Sequence, residues 1–172
     1  PVILIPGAFG SKLRERASGD EVWPGPWWRA LFSSYADLAL DFDAETGTPR
    51  PSELEAYDIA ERALGRDFYR PIIDTLAEHG GYRRSTPGTP AKKGERRFYV
   101  FHYDWRQDNV QSARELHALI EQVQRDHGDP GLRVDLVAHS MGGLIARYYL
   151  RFGTRDVLEG TDQQLTMEGA SR

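Results

Sequence analysis

The sequence predicts an α/β fold, a mostly parallel sheet flanked by helices, from three observations. Short apolar runs alternate along the chain with amphipathic helical segments, which is typical of parallel strands joined by crossover helices. The first run, Val2 to Ile5, is apolar at every position and favours a strand buried on both faces. The length of 172 residues suits one domain, so we expect residues 1–172 to belong to a single domain.

Two later segments are also predicted to be strands. Phe98 to Tyr103 is rich in aromatic and β-branched side chains, and Val134 to Ala138 is a second short apolar run. Together with the first run they make three strands, whereas a typical sheet has about five or six. Because the sequence after Gly153 is polar, we expect the sheet to be incomplete at its C-terminal side and both ends of the chain to be truncated.

Three helices are predicted between and after these strands. The first begins near Pro71, because proline is favoured in a first turn, and stops at the glycine pair that starts with Gly80. The second covers residues 110–127, where apolar residues recur at three- and four-residue steps. The third begins near Met141. Its buried face is expected to comprise four residues: Leu144, Ile145, Tyr148 and Tyr149.

The composition excludes several classes of function. A net charge of -4 argues against a nucleic-acid partner, which needs a basic face. The basic cluster from Lys92 to Arg97 follows a Pro/Gly-rich stretch and is interpreted as a solvated loop. The absence of cysteine excludes disulfides and thiolate chemistry, and the five histidines lack metal-ligand spacing. We therefore expect neither a metal nor a cofactor.

No apolar run approaches the roughly 18 residues that a membrane span needs, so a soluble chain is expected. The chain opens inside a strand-like run without an initiator Met, which leaves its localisation open between cytoplasmic and secreted. The sequence also leaves the oligomeric state open.

Residues 22–66 form an aromatic-rich excursion with two interpretations. Four aromatic side chains lie close together in its first part: Trp23, Trp27, Trp28 and Phe32. They could form a small satellite core. Alternatively, the excursion could be a lid or cap, line an acyl pocket, or make peripheral contact with a membrane or lipid surface.

Ser140 stands between a predicted strand and a predicted helix, in the sequence VDLVAHSMGGLIARYYL. A sharp turn at this junction would expose the serine to a base and a substrate, as a nucleophile requires. Such a turn needs small residues two positions before and after the serine, and they are Ala138 and Gly142. Ala138 replaces the glycine that is usual in this nucleophile elbow. Ser140 is therefore predicted to be a catalytic nucleophile; the alternative is that it only caps the helix.

Acyl transfer also needs hydrogen-bond donors for the oxyanion. One is the backbone N–H after the nucleophile, here that of Met141, and the other comes from the loop after an early strand. Residues 6–13, which follow the first strand in PVILIPGAFGSKL, are predicted to form a small-residue loop that fits this role. The Ala8 N–H is the predicted second donor, with the Phe9 N–H as its substitute. His139 is expected to pack against neighbouring elements, because successive strand side chains point to opposite faces.

Four stretches, in order along residues 1–152, carry a family resemblance: PVILIPGAFGSKL, VWPG, HYDWR and LVAHSMGGLIARYYL. They resemble the lecithin:cholesterol acyltransferase and lysosomal phospholipase A2 family, its bacterial members in particular. The resemblance implies an α/β-hydrolase fold, an acyl-enzyme on Ser140, and lipid esters as substrates with water or an alcohol as acceptor. It carries over Ala8 and Met141 as oxyanion donors. Asp104 and Arg106, in the YDWR segment, are interpreted as a structural ion pair near the site.

The chain departs from the family in one respect. The family's acid and base follow the serine along the chain, but no histidine follows His139. The sequence therefore predicts the N-terminal part of a lipid esterase, phospholipase or O-acyltransferase of lipid metabolism. Alternatives are another serine hydrolase, such as a lipase, thioesterase or amidase, or a non-catalytic fragment that binds an acyl ligand or a protein partner.

This departure yields a first prediction. Purified 1–172 should hydrolyse p-nitrophenyl esters no faster than its Ser140→Ala variant, because loss of a triad histidine costs about a millionfold in turnover. The full-length parent should be active. Ser140-dependent turnover of 1–172 that disappears in His102→Ala would contradict this expectation and establish an unorthodox dyad, since His102 precedes the end of a neighbouring predicted strand.

Overall fold

The computed structural model describes residues 1–25, 36–40, 42, 45, 52–63 and 66–157. This part of the chain contains the strands β1 Val2–Ile5, β2 Ser11–Glu15, β3 Glu21–Trp23, β4 Leu54–Ile59, β5 Arg62–Ala63, β6 Arg66–Asp67, β7 Arg83–Arg84, β8 Arg97–Val100 and β9 Asp135–Ala138. Its helices are α1 Arg70–Asp74, which continues as a π-helical stretch Thr75–His79, then α2 Asn109–Asp126 and α3 Met141–Phe152; a 3-10 turn covers Ala36–Leu38.

The predicted α/β fold is confirmed by a parallel sheet with strand order β7-β8-β1-β9. All three predicted strands belong to it, although β8 ends at Val100 rather than at Tyr103. Strand β7 consists of two exposed arginines, so no apolar run predicts it. Within the described residues, β9 is an edge strand of this sheet.

Strand β1 is buried on both faces, as its composition predicts. Ile3 and Ile5 join a core that contains buried residues of α2 and α3. Val2 and Leu4 join a second core that contains a buried residue of α1. Helices therefore cover both faces of the sheet around β1, and the alternation of side chains along one strand distributes them between two cores.

The predicted apolar face of α2 is confirmed by four buried residues: Val110, Ala113, Leu116 and Val123. The face predicted for α3 is wrong at Leu144, which is 61% exposed, whereas Ile145 is fully buried. Adjacent helix positions differ by about 100° in direction, so only one of these two side chains faces the sheet. Gly153 ends α3 as expected, with a positive φ of 66°.

A second, antiparallel sheet with the order β3-β2-β4 lies outside the predicted elements. Leu13, Val22, Trp23 and Leu54 form its small core. Part of the aromatic-rich excursion is therefore sheet, and the expected loop over residues 6–13 is wrong from Ser11 onward. Charged side chains alternate with the buried ones in β2, which hides the apolar signal of so short a strand. Trp27, Trp28 and Phe32 lie outside the described residues.

Arg97 corrects the interpretation of the basic cluster as a solvated loop. Lys92, Lys93 and Arg96 are exposed, but the Arg97 side chain is 1% exposed. Its guanidinium donates to the carbonyls of Thr89 and Pro90 at 2.6 and 2.8 Å and pairs with Glu95. A buried guanidinium needs such partners for its donors, and here they tie the 85–96 loop to the start of β8.

Helix α3 begins in direct contact with the end of β1. A Cβ atom on Gly142 would lie 2.5 Å from the Pro6 carbonyl oxygen and 2.6 Å from that of Ile5. Both obstructing atoms belong to the backbone, so a side chain at this position would force the helix away from the strand. The next residue has no such restriction, because a Cβ atom on Gly143 would have no neighbouring atom within 4 Å.

These two glycines give a matched prediction. Gly142→Ala should lower the free energy of unfolding by about 1–3 kcal/mol, as overpacking does in a tight core. Gly143→Ala should leave it unchanged or raise it by up to about 1 kcal/mol, because alanine is the better helix former. Urea unfolding midpoints of the two variants test the contrast. Equal midpoints would show that the contact between β1 and α3 is not tight.

Candidate functional site

Ser140 occupies the turn between β9 and α3. Its backbone angles are φ 52° and ψ -123°, and its side chain makes no capping hydrogen bond to the helix. The interpretation of Ser140 as a simple helix cap is therefore not supported. A positive φ is strained for a residue with a Cβ. The turn holds Ser140 in this conformation and leaves it exposed.

The loop of residues 6–10 lies against this turn. β1 and β9 run in register to their ends, where Ile5 pairs with Ala138 and the His139 N–H donates to the Ile5 carbonyl at 3.0 Å. A Cβ on Gly7 would stand 2.9 Å from the Ser140 Cβ. Glycine at this position therefore lets the loop backbone approach the serine, and the two predicted halves of the site share one edge of the sheet.

Hydrogen bonds hold the backbone of the loop at several points. The Tyr103 hydroxyl donates to the Pro6 carbonyl at 2.8 Å, and the Gly7 N–H donates to the Tyr69 hydroxyl at 2.8 Å. The Gly10 N–H closes a turn on the Gly7 carbonyl at 3.0 Å. The Trp23 indole N–H donates to the Phe9 carbonyl at 2.9 Å. Side chains from three distant parts of the chain thus shape one short loop.

Besides the Ser140 N–H, three backbone donors of this region face no acceptor among the residues that the structure describes. They are the N–H groups of Ala8, Phe9 and Met141. Phe9 also has a positive φ of 62°, and it shares this property with Ser140 alone among the non-glycine residues described. Strained backbone and open donors concentrate at the same place, which is typical of a functional site.

The side chain of His139 contacts that of Tyr69. Its Nδ1 lies 3.0 Å from the Tyr69 hydroxyl, and the two rings meet edge to face. Burial raises the pKa of the Tyr69 phenol, an effect that the hydrogen bond from the Gly7 N–H opposes. The phenol therefore keeps its proton at neutral pH. Because its oxygen accepts from Gly7, that proton is available to Nδ1 of a neutral His139.

Asp104 and Arg106 form a close ion pair, as interpreted from the sequence. The Arg106 guanidinium donates to both carboxylate oxygens, at 2.8 and 2.6 Å. Both side chains are largely buried, and Arg106 also donates to the Ser52 hydroxyl. The pair links the segment after β8 to the residues that precede β4. His102, in the same segment, is exposed and borders a different cavity from His139.

An apolar cavity of about 280 Å³ adjoins the loop. Its wall comprises Ala8, Phe9, Gly10, Trp23, Ala60, Phe68, Tyr69 and His139. Phe9 also belongs to a cluster of three rings, with centroids 5.2 Å from Trp23 and 4.3 Å from Trp105. Trp23 therefore belongs to the small core of the antiparallel sheet and also lines this cavity. Two of the lining side chains are also exposed to solvent, Phe9 at 53% and Phe68 at 57%.

Sequence reasoning does not identify Tyr69, Tyr103 and Trp105 as residues that hold the loop. It names Trp23 for a satellite core or an acyl pocket, but not for its hydrogen bond to the loop. Tyr103 and Trp105 lie inside the HYDWR stretch, and Trp23 lies inside VWPG. Their presence in these stretches is the signal that could have linked them to the loop. Tyr69 lies outside all four matching stretches, so only the structure brings it to the site.

Comparison with known proteins agrees with the resemblance. Residues 91–158 match the model of the lecithin:cholesterol acyltransferase family. The chain is similar to that family over this segment. The matched segment holds β8, α2, β9, the Ser140 turn and α3, whereas the 6–10 loop precedes it.

One solved chain, from the crystal structure of the Tle4–Tli4 complex, is similar with a TM-score of 0.48 and 20% identity. The similarity covers 86% of the present chain and 41% of that chain. The present chain therefore spans less than half the length of that solved protein. No curated protein matches the chain. Within the described residues, no helix combines the length and apolar character that a membrane span requires.

The strained turn at Ser140 gives a prediction about stability. Ser140→Gly should be more stable than Ser140→Ala by about 1 kcal/mol, because glycine relieves the strain of a positive φ and alanine retains it. Thermal or urea unfolding of the two variants measures the difference. At Ser85, whose φ is not positive, glycine should instead be the less stable replacement, by about 0.5–1 kcal/mol. The same order at both positions would contradict strain at Ser140.

Proposed function

We propose that the chain carries the nucleophile and the oxyanion donors of a serine-dependent lipid esterase, phospholipase or O-acyltransferase. The observation that supports this most strongly is the arrangement at the end of β1. An exposed serine in a strained turn faces a loop whose backbone donors are unoccupied among the described residues. The match to the lecithin:cholesterol acyltransferase family adds support for an ester substrate of lipid type.

The proposed reaction begins with attack by the Ser140 Oγ on the carbonyl carbon of an ester. The Oγ–C bond forms and the carbonyl oxygen becomes an oxyanion, which accepts hydrogen bonds from the N–H groups of Met141 and Ala8. Phe9 offers the substitute donor. Because these are backbone groups held before substrate arrives, they stabilise the developing charge without reorganisation.

The Ser140 proton has to pass to a base as the bond forms. In the family that the chain resembles, this base follows the nucleophile, and no histidine of this sequence does. His139 faces Tyr69 and His102 borders another cavity, so we assign neither as the base. The C–O bond to the alcohol then breaks as the protonated base donates its proton to the leaving oxygen, and the acyl group remains on Ser140. Water or a second alcohol gives its proton to the same base and attacks the acyl carbon, and the Oγ–C bond breaks as the Ser140 oxygen regains a proton.

The apolar cavity beside the loop fits the acyl part of such a substrate. Its volume of about 280 Å³ is just below the range for small-molecule pockets, about 300–1,000 Å³. Aromatic side chains dominate its wall, and Phe68 is one of them. We therefore place one acyl chain of short or medium length here, which extends the proposal for the 22–66 excursion as an acyl-pocket region.

Two alternatives remain distinct from this proposal. Another serine hydrolase, such as a thioesterase or amidase, would use the same Ser140 with a different leaving group. A non-catalytic protein would bind an acyl ligand in the cavity without forming an acyl-enzyme. Labelling by a fluorophosphonate separates the second alternative, because it requires an activated serine.

The proposal predicts acyl-chain selectivity. In the product of the complete reading frame, p-nitrophenyl octanoate should be preferred to the acetate through contacts with the cavity. Phe68→Ala should lower this preference roughly fivefold, which corresponds to about 1 kcal/mol of lost apolar contact. The ratio of kcat/KM values for the two esters is the measurement.

Phe42→Ala is the matched control, since Phe42 is similarly exposed and does not border the cavity. Ser140→Ala should abolish both turnover and fluorophosphonate labelling. Turnover that survives in Ser140→Ala would overturn the serine mechanism. An ester preference unchanged by Phe68→Ala would instead remove the acyl chain from this cavity.

A further inference from the structure

Two tyrosine hydroxyls hold opposite edges of one peptide group. The group joins Pro6 to Gly7, and in a trans peptide its carbonyl and N–H point in opposite directions. Tyr103 donates to the carbonyl oxygen at 2.8 Å, and Tyr69 accepts from the N–H at 2.8 Å. Contacts at both edges prevent the peptide plane from rotating about the chain direction.

The next peptide group carries the proposed oxyanion donor. It joins Gly7 to Ala8, and its carbonyl accepts from the Gly10 N–H at 3.0 Å. The Ala8 N–H is the opposite edge of this second plane, so its direction depends on the first plane and on the Gly10 contact. Of these neighbouring peptide edges, the Ala8 N–H is the one with no acceptor among the described residues.

Both tyrosines are themselves held firmly. Tyr69 is 7% and Tyr103 is 1% exposed, and they belong to the two different cores of the sheet. Tyr103 stacks on Phe101 with centroids 5.3 Å apart, and its own N–H donates to the Ser11 hydroxyl at 3.1 Å. Burial raises the pKa of both phenols, so both keep their protons and remain hydrogen-bonding hydroxyls at neutral pH.

We propose that Tyr69 and Tyr103 are positioning residues for the oxyanion donor, because together they set the plane of the Pro6–Gly7 peptide and through it the direction of the Ala8 N–H. This inference rests on the proposed function of Ser140. Neither tyrosine touches the reacting atoms in it. They act through the backbone of the loop, from the two sides of the sheet.

Removal of the tyrosine hydroxyls is expected to weaken stabilisation of the transition state. Loss of an oxyanion donor lowers kcat by about 100- to 1,000-fold. Removal of one tyrosine hydroxyl leaves the donor present but less well directed, so we expect kcat to fall by roughly 10- to 100-fold. The KM should change little, because a donor directed at the oxyanion contributes less to ground-state binding.

The experiment compares Tyr69→Phe, Tyr103→Phe and the double variant in the product of the complete reading frame. The substrate is p-nitrophenyl acetate, whose short acyl group avoids the cavity that Tyr69 lines. Each single variant should lower kcat without raising KM. Because both hydroxyls hold the same peptide group, the double variant should lose less than the product of the two single effects. Tyr99→Phe is the matched control: its hydroxyl also contacts a histidine ring, that of His127 at 3.4 Å, but it does not contact the loop.

The inference would be overturned if both kcat values equal that of the parent, or if KM rises while kcat is unchanged. The same holds if Tyr99→Phe lowers kcat as strongly as Tyr69→Phe. Should one variant fail to fold, as thermal unfolding would reveal, the other tests the clamp by itself, because each holds one edge of the peptide. Activity that persists in Ser140→Ala would refute the proposed function instead, and so the two failures are distinguishable.

Discussion

The close approach of the end of β1 to the first turn of α3 is the constraint on which the rest of the site depends. Gly142 allows the helix to contact two carbonyl oxygens of the strand exit, and Gly7 allows the following loop to contact Ser140. With a side chain at either position, the loop and the serine would separate. The strained φ of Ser140, the open backbone donors and the cavity all lie next to this contact.

The aromatic residues around the loop do more than fill space. Trp23 packs in the small core of the antiparallel sheet, donates to the Phe9 carbonyl and borders the apolar cavity. Trp105 donates to the Ser11 carbonyl and contacts the ring of Phe9. The antiparallel sheet and the segment after β8 are therefore parts of one support, and the loop gains its shape from side chains that belong to separate elements.

The parts of the site that the sequence predicts are those with a local cause. A strand, a serine and small residues at set spacing describe a turn within a few residues, so Ser140 and its neighbours can be located from the sequence alone. Tyr69 and Tyr103 act across 62 and 97 positions of the chain, and no spacing rule connects them to the loop. Their hydroxyls matter because of where the packed sheet places them.

The elements of the fold can also be divided into those that the sequence predicts and those that it does not. Strands β1 and β8 are predicted because burial on both faces leaves an apolar run. In β2, by contrast, charged side chains alternate with the buried Ser11 and Leu13, so no apolar run marks the strand. At two other positions the residue type predicts the wrong environment, because the apolar Leu144 is exposed and the charged Arg97 is buried. In each case the side chain's character suggests one environment and its direction from the backbone decides another.

The contact at Gly142 has a consequence for how such motifs are interpreted in genomes. This glycine is required by the backbone of β1, not by the chemistry of the serine beside it. A homologue that had lost its nucleophile would still be more stable with glycine at this position. The small-residue pattern around Ser140 therefore reflects the packing of the fold. A related protein without catalytic activity could retain this pattern after its serine had been replaced.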